Sequence, residues 1–276
     1  VETILSGPAA SIMGIISLCH ITDDCIILDI GGTTTDIAVF ASGAPLIERE
    51  GISFNANPTL VRSLLTKSIG IGGDSLINVS KKGITVGPER KGPSMADGGN
   101  YPALIDALNV KGIIAYNDVE KSKKGIADLA KKEGLSPADF SAKVIDIALD
   151  VIKTAVDAML YEINEKPVYT IHELLDGKKI VPEKLYVMGG PARAFMELLS
   201  GRFNIDVTVP KNFEVANAIG AALAKNTFEA ELFADTSRGV LTVPNLEVRE
   251  KIDGRYSLDR AEADAKRHLA AYLSGM

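Results

Sequence analysis

Apolar residues in the first part of the chain fall into short runs rather than long stripes. Cys25-Ile26-Ile27-Leu28-Asp29-Ile30 is apolar on both alternating faces, the pattern of a strand buried inside a sheet. Gly31-Gly32-Thr33 interrupts it, and the β-branched stretch from Thr34 to Phe40 predicts a second strand. Ala41-Ser42-Gly43-Ala44-Pro45 reads as a hairpin turn, with a third strand from Pro45 to Ile52. Ahead of this block, Ser6-Gly7-Pro8-Ala9-Ala10-Ser11 predicts a helix start. Ser6 can cap it, and Pro8 is tolerated in a first turn whose N–H groups have no helical partner. The small residues Ala9, Ala10, Ser11 and Gly14 predict a helix face that another backbone approaches closely.

Beyond residue 69 the punctuation changes. Ile69 to Ser75 is a second glycine-rich loop, followed by short strands near Leu76–Val79 and Ile84–Val86 joined by Lys81-Lys82-Gly83. Gly87 to Pro102 reads as irregular loop. From Tyr101 to Glu165 the pattern is helical, with a start signal at Ser136-Pro137-Ala138-Asp139. Phe140, Val144, Ile147, Val151, Ala155, Met159 and Ile163 recur at helical spacing, which predicts a core face. Lys184 to Met188 predicts a strand that runs into Gly189-Gly190-Pro191-Ala192 and a helix to Leu199. A short strand at Val207–Val209 and a small-residue helix from Glu214 to Ala224 follow. The last fifty residues read as an appendage, with a strand near Gly239–Val243 and a charged helix from about Leu258 to Leu273.

Composition narrows the class. With 46% hydrophobic and 24% charged residues over 276 positions, the chain is long enough for a sizeable core of ordinary globular make-up. A net charge of −6 without a basic run argues against nucleic acid as the main partner. No apolar stretch reaches membrane-spanning length, and a cytoplasmic location is expected. Cys19 and Cys25 are too few for a disulfide framework or a four-ligand zinc site and read as two buried thiols. His20, His172 and His268 are scattered and suggest no catalytic grouping. The chain starts at Val1 with residues that resemble the interior of a protein, so a chain cut from a longer precursor is expected.

The chemistry concentrates in Asp29-Ile30-Gly31-Gly32-Thr33-Thr34-Thr35-Asp36. In a tight strand–turn–strand the amides of Gly31, Gly32, Thr33 and Thr34 can form a cup for anionic oxygens, and the threonine hydroxyls, Thr35 included, add donors. A carboxylate beside phosphate is repulsive unless a cation lies between them. Asp29 therefore suits an outer-sphere ligand of Mg²⁺ or a group that orients attacking water, and Asp36 can serve the same ion or cap the turn. A plain hairpin is the competing reading. The second loop, with Gly72, Gly73 and Asp74, can approach the sugar or phosphates of a nucleotide. The third, Gly189-Gly190-Pro191, lies at a strand's carboxyl end, where ligands bind in open α/β sheets, and a flat base can slide past it.

Asp29–Asp36, Gly189–Ala192, the Glu214–Ala222 segment and the Ser6–Gly14 segment resemble the second phosphate loop, the adenosine loop and the two connecting helices of actin-like ATPases. With Val86-Gly87-Pro88 in order, the chain over about residues 1–225 is similar to the hydantoinase/oxoprolinase family. The resemblance implies an α/β fold with ribonuclease-H-like lobes and a mixed sheet. It also implies ATP and Mg²⁺ as cofactors and ATP-driven opening of a cyclic amide such as a hydantoin or 5-oxoproline. It places the ATPase domain at 1–225, with an inserted loop and helical region at about 87–180 and an appendage at 226–276. The first phosphate loop is expected before residue 1, leaving one lobe outside this chain.

The Glu89–Gly99 stretch departs from the family's usual segment after Val-Gly-Pro, which leaves the substrate open. Asp106 matches a family aspartate, with a solvated helix residue as the alternative. A reactivating chaperone or switch and a subunit of an ATP-dependent ketone carboxylase are the alternative functions, and a small-molecule kinase is a weaker one. A second hydantoinase-type subunit and a homo-oligomer both remain open as partners.

Overall fold

The computed structural model describes residues 6–48, 53–54, 57–58, 63–165, 179–223, 228 and 230–275. Its contacts divide the chain into two units, Val1–Ala224 and Lys225–Met276. In chain order the first unit contains α1 (Ser6–Leu18), β1 (Cys25–Ile30), β2 (Thr35–Ala41), β3 (Ala44–Pro45), β4 (Thr66–Ile69), β5 (Ile77–Ser80) and β6 (Gly83–Val86). It continues with α2 (Leu104–Val110), α3 (Val119–Lys132), α4 (Pro137–Asn164), β7 (Lys184–Met188), α5 (Ala192–Phe203), β8 (Asp206–Thr208) and α6 (Ala216–Leu223).

The main sheet runs β8-β7-β1-β2-β3, with β4 also pairing β2. A four-residue turn joins β1 to β2, so these strands are antiparallel. The chain returns to β1 through helices, so β7 lies parallel to it, and β8 parallel to β7, as crossover connections require. This antiparallel hairpin extended by parallel strands is the ribonuclease-H-like lobe expected from the resemblance. At its centre Cys25, Ile26, Ile27, Leu28 and Ile30 are all buried. That two-sided burial is why the sequence of β1 is apolar at successive positions.

Helices α1 and α6 pack against each other at their small residues. A Cβ at Gly14 would overlap the Ala216 carbonyl, and one at Gly220 would overlap the Ala10 carbonyl. The helix start at Ser136 is capped by its own hydroxyl, which accepts from the Asp139 amide at 3.1 Å. The α5 helix extends past Leu199 to Phe203 and is closed by Asn204 in the left-handed conformation (φ 54).

Three expectations need correction, and one open alternative, at Asp106, is decided. The third sheet position beside β2 is filled by Ala44–Pro45 and by Thr66–Ile69. Thr66–Ile69 was not foreseen, and residues 49–52 of the expected third strand lie outside the described residues. Val151 on α4 is exposed, because the core side of that helix runs through Ala148, Leu149, Ile152 and Val156 instead. Asp106 is not solvated. It is fully buried and accepts hydrogen bonds from the amides of Met95, Ala96 and Ala103 (3.1, 2.9 and 2.8 Å) and from the Ser122 hydroxyl (2.6 Å). A carboxylate so surrounded fixes the 94–103 loop against α2 and α3. Finally, Cys25 is buried, with its thiol pushed up to about 12 by desolvation, whereas Cys19 is only half-buried. The side chain of Ser6 and the structure around His172 lie outside the described residues.

The second unit holds an antiparallel meander, β9 (Phe233–Asp235), β10 (Val240–Val243) and β11 (Val248–Lys251), and the helix α7 (Leu258–Ser274). Leu241, Val243 and His268 are buried in it. Among the described residues no helix is long and apolar enough to cross a membrane.

Candidate functional site

The first glycine turn closes on itself through the Gly31 amide, which donates to the Thr34 carbonyl at 2.9 Å. The second loop docks onto it backbone to backbone. The Gly73 and Asp74 amides donate to the Gly31 and Gly32 carbonyls at 2.9 and 2.6 Å, and the Gly72 amide donates to the Ser75 hydroxyl at 2.8 Å. A Cβ at Gly72 would lie 2.6 Å from the Gly31 and Gly32 carbonyl oxygens, so only glycine permits this stacking. Thr35 joins the same brace. It is fully buried and its hydroxyl donates to the Ile71 carbonyl at 2.7 Å.

What the brace leaves open is the tip. Gly32, Thr33 and Thr34 are exposed, and neither their amides nor the two threonine hydroxyls have a hydrogen-bond partner among the described residues. Three successive unengaged amides with two flanking hydroxyls make this tip a candidate anion-binding nest. The amides of Gly72, Gly73 and Asp74 are spent on the brace and cannot donate to the same anion. Thr35 is likewise turned away from the tip.

Asp29 and Asp36 are direct cross-strand partners on β1 and β2. Both line a water-sized cavity of about 10 Å³ with Pro8, Ser11 and Thr66. Burial pushes the Asp29 carboxyl up, the Ser11 hydrogen bond opposes this, and the Asp36 charge adds to it. Gly189, at φ 92, sits where a Cβ would meet Asp29 Oδ1 at 2.7 Å. The third glycine loop is thereby pressed against the end of β1. The turn at residues 31–34 is closed by its own backbone, with no hydrogen bond from Asp36 among the described residues.

Beside the nest opens a cleft of about 750 Å³ lined by Gly32, Gly73, Asp74, Asp97, Ile105, Tyr116, Gly190, Pro191, Arg193 and Phe213, among others. That volume suits a nucleotide-sized ligand. On one wall the Arg193 guanidinium lies 5.1 Å over the Phe213 ring, a flat cationic surface that can stack on a base. On the other, Asp97 accepts from Ser94 Oγ (2.9 Å) and Asn117 Nδ2 (2.5 Å), and burial, reinforced by the Asp97 charge, pushes the Tyr116 phenol up. Asp74 is paired with Arg90 at 2.7 Å, yet desolvation still raises its carboxyl. The structure thus gathers Gly32, Gly73, Asp74, Gly190 and Pro191 from three separate loops into one cleft.

Sequence reasoning missed Arg193, Phe213, Tyr116 and Ile105, and reached Asp97 only as part of the Glu89–Gly99 stretch. Arg193 alone left a signal, a cation in the first turn of a helix that a glycine pair opens. The others reach the cleft from loops and helices whose placement only the tertiary fold decides. Among the described residues no group of three or more His, Cys, Asp or Glu side chains could hold a metal ion by itself.

The family model described as hydantoinase/oxoprolinase matches residues 1–230. No curated protein matches the sequence. Among solved structures, nucleotide-free acetone carboxylase, described for the mechanism of ATP-dependent acetone carboxylation, has a TM-score of 0.61 at 22% identity and covers 84% of this chain and 34% of that one. The activator of the 2-hydroxyisocaproyl-CoA dehydratase from Clostridium difficile, with bound ADPNP, gives 0.38 at 13% identity over 79% of this chain and 64% of that one. MreB 5 of Spiroplasma citri bound to AMPPNP gives 0.34 at 12% identity over 79% and 57%. The acetone carboxylase likeness shows the fold, and the chain spans about a third of that protein's length.

Proposed function

The chain belongs to the hydantoinase/oxoprolinase family, and on that premise we propose that it holds the nucleotide of an ATP-dependent hydrolase that opens cyclic amides of the hydantoin or 5-oxoproline type. The observation that carries this reading is the exposed nest of Gly32, Thr33 and Thr34 beside a cleft whose far wall begins at the N-terminus of α5. In this reading the nest holds phosphate oxygens, and Gly190 and Pro191 face the adenosine. Arg193 and Phe213 give the base a surface to stack on. The residues fit Mg²⁺ only as a shared ligand set. Asp29 would be the one carboxylate contributed to the ion, with the nucleotide's phosphates supplying the other protein-independent ligands, as Mg²⁺ sites commonly combine them. The ion would supply neutralisation of charge on the phosphates.

The chemistry then follows a balanced course. The amide oxygen of the substrate takes the γ-phosphoryl group, forming a C–O–P bond as the bond from Pγ to the ADP oxygen breaks. Water adds to the carbon so activated and the ring C–N bond opens, the nitrogen leaving as the amine with a proton from that water, which gives an acyl phosphate. A second water then cleaves it to the carboxylate and inorganic phosphate. The role of this chain is positioning and electrostatic stabilisation of the phosphoryl group. A second reading, a component of an ATP-dependent ketone carboxylase, takes its support from the acetone carboxylase whose fold the chain shares.

The test is ATP hydrolysis by the intact natural protein with Mg²⁺, alone and with hydantoins, 5-oxoproline, or acetone plus bicarbonate. Stimulation by a cyclic amide supports the hydrolase. Stimulation only by acetone with bicarbonate transfers the assignment to the carboxylase. Turnover indifferent to all of them points to a chaperone-like switch, and absence of nucleotide binding sinks the nucleotide reading itself.

One substitution probes the cleft without disturbing the fold. A Cβ at Gly190 meets no atom within 4 Å, so it projects into open space. Gly190→Val is expected to weaken Mg–ATP binding by about tenfold or more, because a branched side chain then occupies ligand volume. Calorimetric titration should show that loss while the melting temperature stays at the wild-type value. Unchanged affinity would remove Gly190 from the site.

A further inference from the structure

We propose that Ser11 and Asn217 are positioning residues for Asp29, locking one oxygen of its carboxylate so that the other is offered to the ligand in a single orientation. The two come from helices more than 200 residues apart in sequence, α1 and α6, and converge on the same atom. Ser11 Oγ lies 2.5 Å and Asn217 Nδ2 lies 3.2 Å from Asp29 Oδ2. The Ser11 hydroxyl has one hydrogen and three oxygens in reach: Asp29 Oδ2, Asn217 Oδ1 at 2.8 Å and the Gly7 carbonyl at 3.2 Å. The carboxylate is the strongest acceptor of the three, and the shortest distance goes to it. With Oδ2 engaged by both donors, Oδ1 is the oxygen left for a ligand, at the carboxyl end of the sheet beside Gly189.

The spacing of the glycines supports the same idea. Ser11 stands three residues before Gly14, and Asn217 three residues before Gly220. On a helix that offset places each donor on the same face as its glycine. Both glycines lie in backbone-to-backbone contact with the opposite helix, so the separation of α1 and α6 has no slack. The two donors therefore meet Asp29 from a fixed frame, as a group that must orient water or an ion within a fraction of an ångström requires. Ser11 is 3% exposed whereas Asn217 is exposed, so Ser11 carries the larger share.

This inference rests on the nucleotide reading for its kinetic consequence but not for its geometry. The experiment uses the intact protein with Ser11→Ala, Ser11→Thr and Asn217→Ala. It measures ATP turnover, affinity for Mg–AMPPNP and melting temperature. Ser11→Ala is expected to lower kcat by about 10- to 100-fold with the Mg–AMPPNP Kd nearly unchanged. Ser11→Thr, which keeps the hydroxyl, should restore most of kcat, and Asn217→Ala should have the smaller effect. Unaltered kcat in Ser11→Ala overturns the proposal. So does a joint fall of kcat, affinity and melting temperature without rescue by threonine, the mark of a purely structural contact. Should the wild-type protein fail to bind Mg–AMPPNP, the nucleotide reading falls and a crystal structure of Ser11→Ala decides the rest. A rotated Asp29 carboxylate upholds positioning, and an unmoved one refutes it.

Discussion

Gly220→Ala is expected to destabilise the protein by about 2–3 kcal/mol, although alanine is the better helix former by about 1 kcal/mol. The added methyl would overlap the Ala10 carbonyl of α1 and crowd the Gly14 amide. Both are backbone atoms, which cannot swing aside as a flexible side chain can. The helices must separate, and burial along their whole contact is lost with them. Gly201→Ala is the matched control. It lies in α5, and a Cβ there meets nothing within 4 Å. The same chemical change should then leave stability unchanged or raise it by up to about 1 kcal/mol. Urea unfolding of the two variants should move the midpoints in opposite directions. If both variants behave like the control, the close crossing of α1 and α6 is not a determinant of stability.

That crossing shows how far the sequence reaches. The small residues at Ala10, Ser11 and Gly14 announce that some backbone comes near, but they do not name which one. The partner is Ala216–Gly220, some 200 residues later, and only closure of the sheet brings it there. The tight turn between β1 and β2 was more legible, because its determinants are local. A buried apolar strand, two glycines and a run of threonines specify a tight turn whatever surrounds it.

The division of labour within the nest was not legible. Nothing in Gly31 to Thr35 reveals that the amides of the second glycine loop are consumed in bracing the first, or that Thr35 faces inward onto Ile71. Asp106 is a sharper case. On a short helix its sequence context suits solvent as well as the core, and burial is decided by the loop from Met95 to Ala103, whose amides need an acceptor. The stripe on α4 failed at Val151 for a geometric reason. A seven-position ladder assumes one straight contact line, whereas a 28-residue helix meets the sheet and several helices along its length.

Asp29→Ala is expected to lower Mg–ATP turnover by about 10³-fold, within the range for groups that orient or move a proton, while leaving the fold intact. The structure explains why both halves should hold. Asp29 lies at the penultimate position of the central strand, next to the third glycine loop and one residue from the 31–34 turn, and no other described carboxylate except Asp36 shares its cavity. Its removal does not strand Ser11, whose hydroxyl retains the Asn217 and Gly7 oxygens as acceptors. Stability should even favour the uncharged variant. Desolvation raises the Asp29 carboxyl in the fold, so the folded state holds this proton more tightly than the unfolded state. Stability linked to this group is then greatest at low pH and declines as pH rises from the unfolded value through the raised folded one. Above that window the wild-type protein carries a buried charge that Asp29→Asn lacks. Asp29→Asn should therefore unfold at pH 8 no more easily than the wild type, yet be inactive. A variant that is both markedly less stable and still active would show that Asp29 serves the core rather than the reaction.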